Sequence, residues 1–179
     1  MPRQDPPPSA TQIASRTQRR GWTQSVYYRG SDGREPVSDW LEKLLATKPT
    51  AVAKIDDFVR EHLNGRSAAD PPPEFPITSQ IEGGLRELRV RVANTRYRLL
   101  YQRSENLLVL LHGFEKNSGA IPDSDKHTAQ KRFVDFRERM DARPRERPRA
   151  VGHDAPSRRG HDAPSRPGHD APSRPGLER

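Results

Sequence analysis

The residues with most chemical potential in this sequence are cationic. Arg86, Arg89, Arg91, Arg96, Arg98 and Arg103 fall within 18 residues, and Glu87 is the one carboxylate among them. A guanidinium group presents a rigid fork of N–H donors that matches phosphate oxygens and stays charged at physiological pH. Such a stretch suits a polyanion such as nucleic acid, or else forms a solvated strand face. His112 is the one histidine inside a predicted strand. Its titration near neutrality suits general acid–base work, while the alternative is a strand histidine bonded to a neighbour. Lys116 follows the last predicted strand, where it can touch phosphate or lie on the surface. With no cysteine there is no disulfide framework, no thiolate-bound zinc and no thiol nucleophile. Nor is there an acidic cluster of the kind a Mg²⁺ nuclease needs.

The elements that must position these groups can be read from periodicity. Trp22–Tyr28 reads as a short strand, and Gly30-Ser31-Asp32-Gly33 as a turn. Val37, Trp40, Leu41, Leu44 and Leu45 form one apolar stripe, which predicts a helix over 36–46. Pro49 opens a second helix with Val52, Ile55, Val59 and Leu63 on its face, and Asn64-Gly65 ends it. So short a link makes the two a helical hairpin, and a proline-rich loop follows. In 85–92, Leu88, Val90 and Val92 share one face and Glu87, Arg89 and Arg91 the other. A tight connection at Asn94-Thr95 leads to 96–102, with Tyr97, Leu99 and Tyr101 on one face and Arg96, Arg98 and Leu100 on the other. The run 107–114 is apolar on both faces, as a central strand would be. A last helix spans about 122–140, with Ala129, Phe133, Phe136 and Met140 facing inward, and Arg143-Pro144 ends it. The fold class expected is α+β, in the order βααβββα: a small antiparallel sheet with a helical hairpin and a C-terminal helix.

Composition divides the chain. Only 31% of its 179 residues are hydrophobic, equal to the charged fraction, and 18 are proline. The net charge of +8 divides as +3 in 1–21, +2 in 22–140 and +3 in 141–179. Gly-His-Asp-Ala-Pro-Ser-Arg recurs from Gly152, Gly160 and Gly168, and apart from its proline no apolar side chain in it is larger than alanine. Such a unit cannot bury a face. The organisation expected is a disordered leader over 1–21, one folded domain over 22–141 and a disordered tail over 142–179. The tail's histidines sit on a flexible spacing that makes no specific metal site. No apolar run approaches a membrane span and no secretory signal is visible, so the expected location is the cytoplasm.

Three motifs in order carry a resemblance. Gly84-Leu85-Arg86-Glu87-Leu88-Arg89, Arg96-Tyr97-Arg98-Leu99-Leu100-Tyr101 and Leu110-Leu111-His112-Gly113-Phe114-Glu115-Lys116 resemble the RelE/ParE superfamily of type II toxins, most closely its phage-derived HigB-like branch. The likeness covers about 24–140, including the proline-initiated last helix with Pro122, Ala129 and Arg132. It implies a ribosome-dependent mRNA endoribonuclease, held inactive by a cognate helix-turn-helix antitoxin and needing no metal or other cofactor. The ribose 2′-OH would attack the adjacent phosphate, leaving a cyclic phosphate and a 5′-OH. Some members of the superfamily poison gyrase instead, and a degenerate member would only bind RNA or an antitoxin.

The resemblance also implies roles. Arg98 matches the arginine that contacts the scissile phosphate; the alternative is an internal ion pair with Glu87 or Glu115. Arg89 and Arg91 match basic active-site positions, or are exposed strand arginines. Together with His112 these are the catalytic candidates. Arg96, Arg103 and Lys116 are candidates for gripping the RNA backbone. Asn117-Ser118 stands where many relatives have Lys-Thr, and the last helix has no tyrosine where RelE proper has a catalytic one. The chemistry therefore rests on His112 and the arginines. Trp22, Trp40, Phe58, Phe114, Phe133 and Phe136 are expected in the core, as are Tyr97 and Tyr101, with base stacking as the alternative for the two tyrosines.

Overall fold

The computed structural model of the chain describes residues 21–116, 119–142 and 147–152. The leader up to residue 20, Asn117-Ser118 and the octad repeats beyond Gly152 lie outside the described residues. Helix α1 (Pro36–Thr47) and helix α2 (Pro49–His62) each begin on a proline, whose fixed φ suits a first helical turn. Lys48 alone joins them. Gly65 follows α2 at φ +68°, a left-handed conformation that glycine adopts without steric cost.

The fold is α+β, with a five-stranded sheet in the order β1-β5-β4-β3-β2. Strands β3 (Leu85–Val92), β4 (Thr95–Ser104) and β5 (Leu107–Lys116) form the antiparallel meander that the alternation predicts. Strand β1 (Gln24–Tyr27) differs from the expectation of a wholly antiparallel sheet: it joins β5 in parallel. The helical hairpin supplies the crossover that lets the chain leave β1 and return at the opposite edge. That edge is strand β2 (Thr78–Glu82), which sequence reading leaves in the proline-rich loop. Its residues Thr-Ser-Gln-Ile-Glu carry one large apolar side chain, too few to show a period.

Each face of the sheet is covered by different helices. Leu88, Val90, Tyr97, Leu99, Tyr101 and Leu110 pack beneath α1 and α2, so both tyrosines are core residues. Val26, Leu100, Val109 and Leu111 pack beneath helix α3 (Asp123–Asp141), against Ala129, Phe133 and Phe136. Trp22 is 48% exposed and is not part of either core.

Residues 149–151 of the expected tail are part of the fold. Ala150 bridges Val26 on the free side of β1, and Val151 is buried in the core under the hairpin. Arg149 forms an ion pair with Glu35, donates to Ser38 Oγ at 2.8 Å and lies 4.4 Å from the Tyr27 ring centroid. The domain therefore extends past the boundary that composition suggests at residue 141. One valine and one arginine in a proline-rich stretch give no periodic signal of this.

Candidate functional site

The β3–β4 register sets Arg89 opposite Arg98 and Arg91 opposite Arg96. The β4–β5 register sets Arg98 opposite Phe114 and Arg96 opposite Lys116. Five cations therefore occupy two adjacent rows of one sheet face. It is the face that α3 covers, but α3 lies over β4 and β5, so the arginines of β3 are left beyond the helix.

A single carboxylate organises the group. Glu87 is 3% exposed and sits two residues along β3 from the row of Arg89 and Arg98, on the same face. Its Oε1 accepts from Arg89 Nε at 2.6 Å and from Ser79 Oγ at 2.8 Å. Its Oε2 lies 2.8 Å from Arg98 Nε, an ion pair whose N–H is not aligned as a hydrogen bond. Arg98 is 8% exposed and donates from Nη1 to the Tyr97 carbonyl at 3.1 Å. Burial pulls its pKa down; Glu87 opposes that, and Arg89 and Arg96 add to it. The same balance acts on Lys116, which is lowered chiefly by desolvation, with Arg98, Arg89 and Arg96 contributing. Of the two ion-pair alternatives for Arg98, the partner is thus Glu87. Glu115 points elsewhere and holds Lys48 Nζ at 2.7 Å.

A β-bulge brings His112 to the same face. Leu100 pairs with His112 and Tyr101 with Leu110, so Leu111 is the extra residue and both Leu111 and His112 face α3. The imidazole stacks on Phe114 with ring centroids 5.6 Å apart. Nε2 lies 3.1 Å from Asp125 Oδ1, and Arg132 donates to Nδ1 at 3.2 Å. An N–H aimed at Nδ1 requires a lone pair there, so the ring is neutral with its proton on Nε2, donated to Asp125. Burial is the main cause of its lowered pKa, Arg132 adds to it, and the Asp125 hydrogen bond opposes it.

Two arginines of the basic stretch lie apart from this cluster. Arg103 donates to the Ala68 and Glu105 carbonyls, both at 2.6 Å, tying the β4–β5 turn to the segment after α2. Seven residues separate it from Arg96, about 23 Å along a strand. Expected to grip an RNA backbone, Arg103 lies at the other end of the sheet from Arg96, where it fastens the β4–β5 turn. Arg86 lies on the hairpin face and donates to the Pro73 carbonyl and Thr78 Oγ, both at 3.1 Å. Sequence reading missed Ser79 and Asp125. Ser79 sits in the unrecognised strand, and Asp125 reads as an ordinary first-turn helix carboxylate.

Residues 50–134 match the family described as Phage derived protein Gp49-like (DUF891). The matched stretch runs from α2 into α3, so it contains both cationic rows, Glu87 and His112. That family is phage-derived and toxin-like, which is consistent with the toxin of a toxin–antitoxin system as a broad class. No curated protein matches the chain. Among the described residues no helix is long and apolar enough to cross a membrane.

Proposed function

We propose that this protein is the toxin of a type II toxin–antitoxin system and cleaves mRNA on the ribosome. The observation that supports this best is the pairing of Arg89, Arg91, Arg96, Arg98 and Lys116 on one sheet face around one carboxylate. Their charge exceeds what Glu87 neutralises, and a polyanion is the complementary partner. In this reading Arg96, Arg91 and Lys116 hold flanking phosphates. Arg98 and Arg89 lie against the scissile phosphate, where their N–H forks stabilise the extra negative charge of the phosphorane. His112 takes the 2′-OH proton at Nδ1 once the substrate hydroxyl displaces Arg132, and Asp125 steadies the imidazolium. The 2′-oxygen bonds to phosphorus, the bond to the 5′-oxygen breaks, and that oxygen leaves with a proton from a water, whose hydroxide takes back the proton held by His112. The partner is a cognate helix-turn-helix antitoxin that covers or flanks the cationic face, and the location is the cytoplasm.

A second reading is a binding module without cleavage. It is favoured by a specific arrangement: Glu87 engages both Arg89 and Arg98, and both His112 nitrogens have partners.

Inducible expression without an antitoxin, with mapping of transcript 5′ ends, tests the proposal. Growth arrest with new 5′ ends inside codons is expected, and Arg98→Ala should abolish both. Because Arg98 is buried, Arg96→Ala with Lys116→Ala serves as a second variant that leaves the Glu87 pair intact. Arrest with DNA breaks and intact transcripts would indicate a gyrase target. RNA binding without any new 5′ ends would favour the binding module.

A further inference from the structure

Phe75 is 73% exposed, the most exposed large apolar side chain among the described residues. Its ring is not adrift in a loose loop. Next to it, the Pro73 carbonyl accepts from Arg86 at 3.1 Å and also from Thr78 Oγ. The Glu74 carbonyl accepts from the Ile77 and Thr78 amides, both at 3.1 Å. The loop is thus pinned to β2 and β3 on both sides of a ring that water surrounds. The Arg89 guanidinium lies 5.0 Å from the centroid of that ring. Arg89 belongs to the row that faces Arg98, so the aromatic surface stands at the rim of the cationic face.

We infer that Phe75 is a stacking platform for an unpaired base of a single-stranded RNA whose backbone lies along the cationic rows, an inference that rests on the proposed RNA-directed function. The chemistry of the two neighbours fits that ligand. A phosphate needs cations, and an unstacked base needs a flat apolar surface beside them. Arg89 serves both: its charge faces the phosphate, and its stacking on Phe75 holds the ring in place. An exposed aromatic with no nucleotide to receive would be an isolated apolar surface that the fold nevertheless anchors.

The test uses the full chain and a short fluorescein-labelled 2′-O-methyl oligonucleotide, whose blocked nucleophile prevents cleavage. Affinity is read by anisotropy across a salt series. Phe75→Ala should weaken binding about tenfold, the loss typical of one base–aromatic stack. Phe75→Leu should bind as weakly as the alanine variant, and Phe75→Trp about as well as the wild type. The salt slope should not change in any of the three, because no ion pair is lost. With abasic sites in the probe the wild type should fall to the level of Phe75→Ala. Wild-type-like affinity in Phe75→Ala or Phe75→Leu, with salt-dependent binding retained, would overturn the inference and leave the RNA reading standing. No salt-dependent binding by the wild type, or a slope unchanged in Arg96→Ala with Lys116→Ala, would overturn both.

Discussion

Replacing Glu87 with glutamine separates the two tasks that this carboxylate performs. Glutamine keeps the shape and can still bond Ser79 Oγ, but it removes the one negative charge between Arg89 and Arg98. Arg98 is almost wholly buried and its guanidinium Nε faces only that carboxylate. Removing one partner from a buried ion pair costs about 3–5 kcal/mol, because the remaining charge cannot recover its hydration. Residual hydrogen bonding and the partly exposed Arg89 place Glu87→Gln at the lower end, about 3 kcal/mol. For a domain of this size that lowers Tm by about 12 °C, at roughly 4 °C per kcal/mol. Phosphate binding should move the opposite way, since one more guanidinium charge is unneutralised. The slope of log Kd against log salt for a single strand should steepen by about 0.7. Thermal unfolding and anisotropy on the same preparation measure both. A variant with wild-type Tm and an unchanged slope would refute the idea that Glu87 is the buried counter-charge of a phosphate-binding face.

Three other outcomes follow from the contacts. Burial holds His112 below its ordinary 6.5, so the unfolded chain takes up a proton that the folded ring refuses. Stability should therefore be complete above that value and decline as pH falls below it, by up to about 1.4 kcal/mol per pH unit. Urea titrations across that range should show the decline in the wild type and lose its His112 share in His112→Gln. Gly113→Ala would drive a Cβ into the Trp40 ring; a cost of about 1–3 kcal/mol and a shift in tryptophan emission are expected. Arg149→Ala removes the Glu35 ion pair and the stacking on Tyr27. Chemical denaturation should show a loss of about 2 kcal/mol, and a loss below about 0.5 kcal/mol would mean that residues 149–151 add nothing to the fold.

Much of the fold is legible because its helices and meander follow simple periods. The stripes Val37/Leu41/Leu44 and Val52/Ile55/Val59 define the hairpin, and the alternation across Leu85–Val92 assigns Glu87, Arg89 and Arg91 to one face. Less of the site is legible. Strict alternation in β5 places His112 beside Leu110, under the helical hairpin. The bulge at Leu111 reverses that parity and sets His112 on the α3 face with Arg98. A bulge leaves no compositional trace here, since Leu110 and Leu111 are the same residue.

Identity and spacing along the chain determined that six arginines are concentrated on two paired strands, and that alternate ones share a face, because side chains repeat every two residues. Tertiary structure alone decided which arginines meet. Register joins Arg89 to Arg98 and Arg91 to Arg96, while Arg103 is drawn off to the Ala68 carbonyl and Arg86 to the proline-rich loop. It also decided that Glu87 is a buried counter-charge rather than a surface acid, since its burial depends on the Ser79 and Arg98 side chains that the neighbouring strands bring against it. Local sequence carries the period of each strand, but charge pairing depends on distances set by segments far apart in the chain.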